Sequence, residues 1–246
     1  MILKIFSINM WLLPFKLSKD NRKRLKQLVI VIKEKNPDIV ALQEVWNKKY
    51  IKFLTKKLSE YNFNFLAKKS FNISGLVTMS KYSPQIEKFL PFTRNMGQPF
   101  FEKSVRKGLL KVEYKINGKK IAFYNTHLSC PNGGNEKYYT MKQFEFIKNK
   151  INQKQVSILC GDLNLKDREF ERINNNFFSY AENSKNTFSI ENKYLRKWWD
   201  RKPEANKKID YILIKVPEKI KFNFNSETIK HALSDHFGIY SEIELK

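Results

Sequence analysis

The feature that most constrains the fold of this chain is a series of short apolar runs that stop at chemically reactive polar residues. The run Ile121 to Tyr124 has the composition of a buried β-strand, and it ends in Asn125, Thr126 and His127. A sheet fixes the backbone at a strand end while the side chain reaches into a cleft. The pattern therefore predicts a core of β-strands whose ends assemble a site.

Polar residues lie at or beside the ends of the other predicted strands in the same way. The complete set is Asn9, Glu44, His127, Asp162, Asn164, Asp210, Asp235 and His236. Carboxylate and amide oxygens with imidazoles suit a hard divalent cation such as Mg²⁺, with acid and base groups beside it. The remaining histidine, His231, fits no such position, and we expect it to be structural or exposed.

Hydrophobic periodicity and turn residues predict an α/β chain in one domain, residues 1–246. The predicted helices cover residues 20–35, with Asp20 as a cap, 48–60, and 136–152, the last with Tyr138, Met141, Phe144, Ile147 and Ile151 facing inward. The predicted strands cover residues 2–9, 38–45, 75–80, 108–116, 119–127, 156–160, 208–215 and 238–245. Asn117-Gly118 is a hairpin turn, and the Asn-rich segment 166–207 resembles a loop.

Composition limits the function without selecting it. With 41% hydrophobic residues the chain is not of the disordered class, and the net charge of +23 favours anionic partners such as nucleic acid, acidic lipid surfaces or phosphorylated molecules. A genome rich in A and T would also enrich lysine, asparagine and isoleucine, so this alternative stays open. The two cysteines, Cys130 and Cys160, fit a reducing compartment and leave one disulfide open.

Targeting signals are weak in this sequence. No apolar run reaches the ~18–20 residues that span a bilayer, and the apolar N-terminus lacks a signal-peptide cleavage site. We expect a monomer that is cytoplasmic or peripherally bound to a membrane, and secretion stays open.

Six ordered motifs carry a family resemblance. They are NMW at 9–11, LQEVW at 42–46, NTHL at 125–128, GDLN at 161–164, KIDYIL at 208–213 and SDHFG at 234–238. Their order resembles the motif series of the metal-dependent endonuclease/exonuclease/phosphatase superfamily, which includes deoxyribonuclease I. The resemblance runs from residue 5 to about residue 242. It implies a four-layer α/β/β/α sandwich of two mixed β-sheets flanked by helices.

The resemblance also implies a cation site. Glu44 matches the principal metal ligand of the superfamily, Asn9 lies beside it, and Asp235 matches a carboxylate near the metal. The implied cofactor is Mg²⁺ or Mn²⁺.

The catalytic roles follow from the same resemblance. Asp162 would orient or deprotonate the attacking water, and Asn164 would bind a phosphate oxygen. His127 would contact the phosphate and stabilise the transition state. His236 would act as the second essential histidine, polarised by Asp210.

Further motifs resemble the neutral sphingomyelinase branch of the superfamily. They are NMWLLP at 9–14, SGLVTMSKYSP at 74–84 and RKGLLKVEY at 106–114. This branch implies phospholipase-C-type hydrolysis of a phosphodiester in a lipid head group. Trp198 and Trp199, flanked by basic residues, are candidate substrate-binding residues at a membrane interface.

Two other functions stay open. GDLNLKDREF at 161–170 also resembles tyrosyl-DNA phosphodiesterases of this fold, and the positive charge suits a nuclease. A non-catalytic module that binds lipid or nucleic acid is the third reading, and the intact acid/base set argues against it.

Overall fold

A computed structural model gives the fold of the protein. It describes residues 1–13, 17–69, 71–93, 105–130, 136–181, 185–195 and 206–246. Its elements in chain order are β1 (Ile2–Leu12), α1 (Asn21–Lys35), β2 (Ile39–Val45), α2 (Lys48–Lys57), β3 (Asn62–Lys68), β4 (Phe71–Ser80), β5 (Ile86–Pro91), β6 (Gly108–Ile116), β7 (Lys119–His127), α3 (Glu136–Lys150), β8 (Val156–Asp162), α4 (Asp167–Asn174), β9 (Asp210–Lys215), β10 (Phe222–Ile229) and β11 (Gly238–Leu245).

The strands form two mixed sheets that pack face to face. One sheet has six strands in the order β10-β11-β1-β2-β4-β3, and the other has five in the order β5-β6-β7-β8-β9. Within the described strands, β1 with β2 and β7 with β8 are parallel pairs, while the other pairs are antiparallel. Parallel pairing places the carboxyl ends of both partners at the same edge, which is where the polar residues of the motifs stand.

Three apolar layers hold the elements together. Side chains from both sheets, such as Ile5 and Ile158, form the central layer. A second layer packs α1 and α2 on the six-stranded sheet, and a third packs α3 and α4 on the five-stranded sheet. The four-layer α/β/β/α sandwich predicted from the motifs is therefore confirmed.

A buried polar bridge crosses the central layer near the site. The side-chain amide of Gln43 on β2 donates to Oδ1 of Asn125 on β7 (2.9 Å). The Asn125 amide in turn donates to the carbonyl oxygens of Leu42 (3.2 Å) and Val77 (3.0 Å). Since buried amides need partners, this bridge fixes the two sheets relative to each other just behind His127.

Several sequence predictions needed correction. Tyr138, predicted to face inward, is 57% exposed, and the second helix ends at Lys57 instead of residue 60. Asp20 precedes α1, but its side chain makes no capping hydrogen bond. Strands β3, β5 and β10 were not predicted, and α4 lies in the segment 166–207 that resembled a loop.

The predicted hairpin turn is present. Asn117 and Gly118 both have positive φ, as a two-residue hairpin turn requires. Cys130 and Cys160 are not joined in a disulfide. Across the described ranges, no helix combines the length and apolarity needed to cross a bilayer.

Candidate active site

Three chemically reactive residues stand side by side on the five-stranded sheet. His127 ends β7 and is paired in register with Asp162, the last residue of β8. Asp162 is paired on its other side with Asp210, the first residue of β9. The sequence places them there because the apolar runs of β7 and β8 end, and the antiparallel run of β9 begins, at the same edge of the sheet. All three side chains are nearly buried, with exposures of 8%, 1% and 1% respectively.

His236 reaches this row from the loop before β11 of the other sheet. Its Nδ1 lies 2.8 Å from Oδ2 of Asp210, and the Phe188 ring packs against the imidazole edge-on. Burial alone would lower the pKa of His236, but the Asp210 carboxylate, with Asp162 and Asp235, outweighs it and raises the pKa to about 10. Asp210 and His236 are thus in hydrogen-bond contact, and the raised pKa favours the protonated imidazole at neutral pH.

Asp162 lies at the centre of the cluster. Its Oδ2 accepts a hydrogen bond from Nδ2 of Asn9 (3.0 Å) and lies 3.6 Å from Nε2 of His127 and 3.8 Å from Nε2 of His236. Burial, and then the nearby Asp210 charge, raises the pKa of Asp162 to about 7. A carboxylate with such a pKa can take up a proton near neutral pH.

His127 differs from His236 in its protonation state. Burial lowers the pKa of His127 well below its usual value, and the positive charges of Lys107 and His236 lower it further. Lys107 is itself 4% exposed, and its Nζ donates to the carbonyl oxygen of Leu128 (2.8 Å). The pKa shifts thus favour a neutral imidazole and a charged one, both within 4 Å of Oδ2 of Asp162.

Asn164 is held next to the same carboxylate. Its backbone N–H donates to Oδ1 of Asp162 (3.0 Å), and its side-chain amide donates to the carbonyl oxygen of Leu128 (3.1 Å). The backbone of β8 before Asn164 requires a glycine at position 161, because a Cβ there would lie 2.0 Å from the carbonyl oxygen of Thr126.

A second group of side chains has the chemistry of a cation site. Glu44 ends β2, its Oε1 accepts from Nδ2 of Asn9 (3.0 Å), and Glu44 and Asp235 line the same cavity. Burial, and then the Asp235 charge, raises the pKa of Glu44, while burial also raises the pKa of Asp235. Two half-buried carboxylates that oppose each other's ionisation fit a divalent cation, which would stabilise both charges.

Asn9 joins the two groups. Its Nδ2 donates to both Glu44 and Asp162, while its Oδ1 accepts from the backbone N–H of Trp11 (3.0 Å). The Trp11 N–H determines which end of the amide faces the carboxylates. Asn9 therefore holds the two acids in place, and its Oδ1 keeps one lone pair for a further contact.

Asp162, Asp210 and His236 also have ligand atoms within 4.8 Å of one another. Here both nitrogens of His236 face carboxylates, Nδ1 at 2.8 Å from Asp210 and Nε2 at 3.8 Å from Asp162. These two contacts occupy the imidazole of His236, whereas Glu44 and Asp235 line the cavity directly.

A cavity of about 830 Å³ opens beside these groups. Its walls are mainly apolar, with three lysines. Glu44, His127 and Asp235 line the cavity together with the wall residues. The wall residues are Trp11, Leu13, Trp46, Phe71, Asn72, Ile73, Val105, Lys68, Lys69 and Lys107. The volume suits a ligand of drug size with both apolar and anionic parts.

Two residues at this site, Lys107 and Phe188, were not predicted from the sequence, and two predicted residues lie outside the described ranges. Lys107 lies in the motif RKGLLKVEY without having been given a role, and Phe188 lies in the segment that resembled a loop. Trp198 and Trp199 lie outside the described residues. His231 is exposed, as expected.

The family of the chain follows from comparison with known proteins. Residues 6–236 match the model of the Endonuclease/Exonuclease/phosphatase family. Sphingomyelin phosphodiesterase 2 of Mus musculus is 29% identical over 183 residues, which cover 68% of this chain and 42% of the mouse protein. The chain thus spans less than half the length of this relative.

Two solved structures share the fold over nearly their whole length. The beta toxin of Staphylococcus aureus, a mutant with bound magnesium ions, has a TM-score of 0.82 at 19% identity, covering 98% of this chain and 99% of that one. D. rerio TDP2 in complex with a single-strand DNA product has a TM-score of 0.77 at 19% identity, covering 99% of both. From the extent of the family match, the chain belongs to the endonuclease/exonuclease/phosphatase family.

Proposed function

We propose that residues 1–246 form a catalytic domain that hydrolyses a phosphodiester, with water as the nucleophile and a divalent cation as cofactor. The observation that carries the proposal is the position of Asp162. Its carboxylate lies within 4 Å of two imidazoles and of Asn9, which also contacts Glu44. Hydrolysis of a phosphodiester needs a base for the water, donors for the phosphoryl oxygens and a proton for the leaving oxygen.

Asp162 is the proposed general base. It takes a proton from the water as the oxygen forms its bond to phosphorus. A pKa near 7 makes the ionised carboxylate available at neutral pH and basic enough to accept that proton. Asn9 and the backbone N–H of Asn164 hold both carboxylate oxygens, so the group is oriented before substrate arrives.

The two histidines take different roles because their protonation states differ. His236, kept protonated by Asp210, stabilises the developing negative charge and gives its Nε2 proton to the leaving oxygen when the bond from phosphorus breaks. His127 is neutral and contacts a phosphoryl oxygen through an N–H, as Asn164 does through its amide.

Glu44 and Asp235 are the residues that would hold Mg²⁺ or Mn²⁺, and the Asn9 amide joins Glu44 to Asp162. When bound, the cation supplies positive charge to the non-bridging phosphoryl oxygens. The half-buried carboxylates with raised pKa values support this assignment.

The favoured substrate is a phospholipid with a phosphorylated head group, cleaved as a sphingomyelinase-like phospholipase C cleaves it. The similarity to mouse sphingomyelin phosphodiesterase 2 supports this choice. The cavity also supports it, because Trp46, Phe71 and Ile73 offer apolar contact next to the catalytic residues. Such an enzyme meets its substrate at a membrane surface, so we propose peripheral membrane contact.

The alternative is a nuclease or a tyrosyl-DNA phosphodiesterase-like repair enzyme. Lys68 and Lys69 beside aromatic residues in the cavity wall favour it, because a nucleic-acid strand binds through phosphate contacts and base stacking. The net charge of +23 points the same way.

A substrate panel with Mg²⁺ tests the proposal. We expect sphingomyelin vesicles or lysophosphatidylcholine to be cleaved faster than plasmid DNA or a 5′-tyrosyl oligonucleotide. The variant His236→Ala, purified in parallel, controls for contaminating host enzymes. Cleavage of the oligonucleotide alone would select the alternative, and no EDTA-sensitive hydrolysis of any of the four would refute the proposed function.

The role of the tryptophan pair needs its own variant. If Trp198 and Trp199 contact the membrane, replacing both with Ala should reduce hydrolysis of vesicles sharply and hydrolysis of a soluble short-chain analogue hardly at all. Equal activity on vesicles at unchanged Tm would refute this role. A specific loss on single-stranded DNA would assign the pair to base stacking.

A further inference from the structure

Arg24 on helix α1 is a buried cation that the proposed chemistry does not use. It is 1% exposed, and it is the largest of the fully buried side chains in the described ranges. Among the described residues no carboxylate forms a salt bridge with it. A buried charge without a direct counter-ion is unfavourable unless every polar hydrogen has an acceptor.

The guanidinium has an acceptor for each of its five N–H groups. Nε donates to the carbonyl oxygen of Lys19 (2.8 Å) and Nη1 to those of Met10 and Leu233. Nη2 donates to the carbonyl oxygen of Trp11 (2.9 Å) and to Oδ1 of Asn21 (2.6 Å). A planar fork with fixed donor directions can satisfy acceptors from several segments at once, which a lysine ammonium cannot.

The acceptors belong to segments that carry the proposed cation site. Met10 and Trp11 follow Asn9 on β1, and the Trp11 N–H orients the Asn9 amide. Leu233 lies two residues before Asp235. Arg24 therefore fastens the end of β1 to the loop that presents Asp235.

The strand end needs this support. Trp11 has a φ of 45°, a left-handed conformation that is unfavourable for a residue with a large side chain. The guanidinium bonds the Trp11 carbonyl oxygen and lies between two aromatic rings, 5.3 Å from the Trp11 centroid and 5.6 Å from that of Tyr194. The side-chain amide of Asn192 also holds the loop that presents Asp235, because it donates to the carbonyl oxygen of Ser234 (2.9 Å).

We propose that Arg24 is a positioning residue for the cation site, which sets the placement of Asp235 relative to Asn9 and Glu44 through its fork of hydrogen bonds. The inference rests on the cation site of the proposed function. The shape of the guanidinium is what matters, so a lysine at this position keeps the charge and loses the effect.

The test is the affinity of the protein for Mg²⁺ without substrate, measured by calorimetric titration and by the Mg²⁺-induced rise in Tm. Residues that orient metal ligands typically change metal affinity by about 10- to 100-fold. We expect Arg24→Lys and Arg24→Met each to raise the Kd for Mg²⁺ about 10-fold, while kcat at saturating Mg²⁺ falls much less. The matched control is Leu28→Ala, which empties a fully buried site on the same helix. It should lower Tm and leave the Kd unchanged.

The outcomes separate the possible failures. Wild-type Kd in both Arg24 variants would overturn the proposal, and wild-type Kd in Arg24→Lys alone would show that charge acts instead of shape, which also overturns it. A wild-type protein that binds no Mg²⁺ would overturn the cation site and this inference with it. If neither Arg24 variant folds, Asn21→Ala removes one acceptor and keeps the arginine. A raised Kd there supports the proposal, and a wild-type Kd overturns it.

Discussion

The two sheets supply two different halves of the candidate site. The five-stranded sheet presents His127, Asp162 and Asp210, which are buried and stand in a row, and we propose that Asp162 and Asp210 serve proton transfer together with His236 from the other sheet. The six-stranded sheet presents Glu44 on a strand end and Asp235 on a loop, half-buried at the cavity. Proton transfer demands fixed short distances, which adjacent strands provide. Mg²⁺ usually keeps several waters and takes only one or two protein carboxylates, so one strand ligand and one loop ligand suffice there.

The largest effect should come from the proton-transfer half. Asp162→Asn should reduce kcat/KM about 10²- to 10⁴-fold, because a general base contributes on that scale. Additional Mg²⁺ should not restore the rate, since Glu44 and Asp235 remain. The matched control, Glu145→Gln at an exposed position of helix α3, should behave as wild type. Rescue of Asp162→Asn by Mg²⁺ would move Asp162 into the cation half.

The pair Asp210 and His236 should act as one unit. Asp210→Asn and His236→Ala should each reduce kcat/KM about 10²- to 10³-fold, and the double variant should lose little more, because the carboxylate acts through the imidazole. A double-mutant cycle on purified proteins measures this. Additive losses would mean that the 2.8 Å contact is structural.

Glu44→Gln tests the cation half. The Mg²⁺ concentration for half-maximal rate should rise about tenfold or more, because the charged oxygen is lost while the shape is kept. EDTA should abolish wild-type activity, and Mg²⁺ or Mn²⁺ should restore it. Wild-type turnover of Glu44→Gln at limiting Mg²⁺ would contradict the assignment of Glu44.

Loss of the polar bridge between Gln43 and Asn125, which joins the two sheets, should have the smallest effect on the rate. It should have a measurable effect on stability. Asn125→Ala removes the closer acceptor of the buried Gln43 amide and the donor to the carbonyl oxygens of Leu42 and Val77, which should lower the free energy of unfolding by about 1–3 kcal/mol. Urea unfolding measures this, with the exposed Asn223→Ala as control. If Asn125→Ala reduced kcat/KM as strongly as Asp162→Asn, the bridge would be part of the catalytic half.

The central strands and their terminal residues could be predicted from the sequence because burial on both faces gives a continuous apolar run. Strands at the sheet edges do not need such a run. In β10, FNFNSETI, exposed and less exposed residues alternate and asparagine is frequent, so its strand signal is weak. The strand signal of β5 is also weak, because its residues are mostly exposed. Tyr138 extends the apolar spacing of α3 by one turn past the core, which spacing alone cannot show.

Contacts between distant segments explain what else was missed at the site. Phe188 packs on His236 and Lys107 bonds the carbonyl oxygen of Leu128, and neither contact follows a local spacing rule. By contrast, His127 and Asp162 come together because two apolar runs end at one sheet edge. A sequence therefore predicts the residues that its strands present, and it predicts poorly the residues that surround them.

The Asn9 amide, which donates to Glu44 and to Asp162, has a consequence for engineering. A chimera that takes one sheet from this protein and the other from a relative would keep the bond to Glu44 within one parent, but the bond to Asp162 would have to form between two parents. Even with all ligands and both histidines retained, the recombined protein needs an amide at this position with its Oδ1 turned toward the Trp11 N–H. The sheets of this domain are thus exchangeable only together with the tip of strand β1.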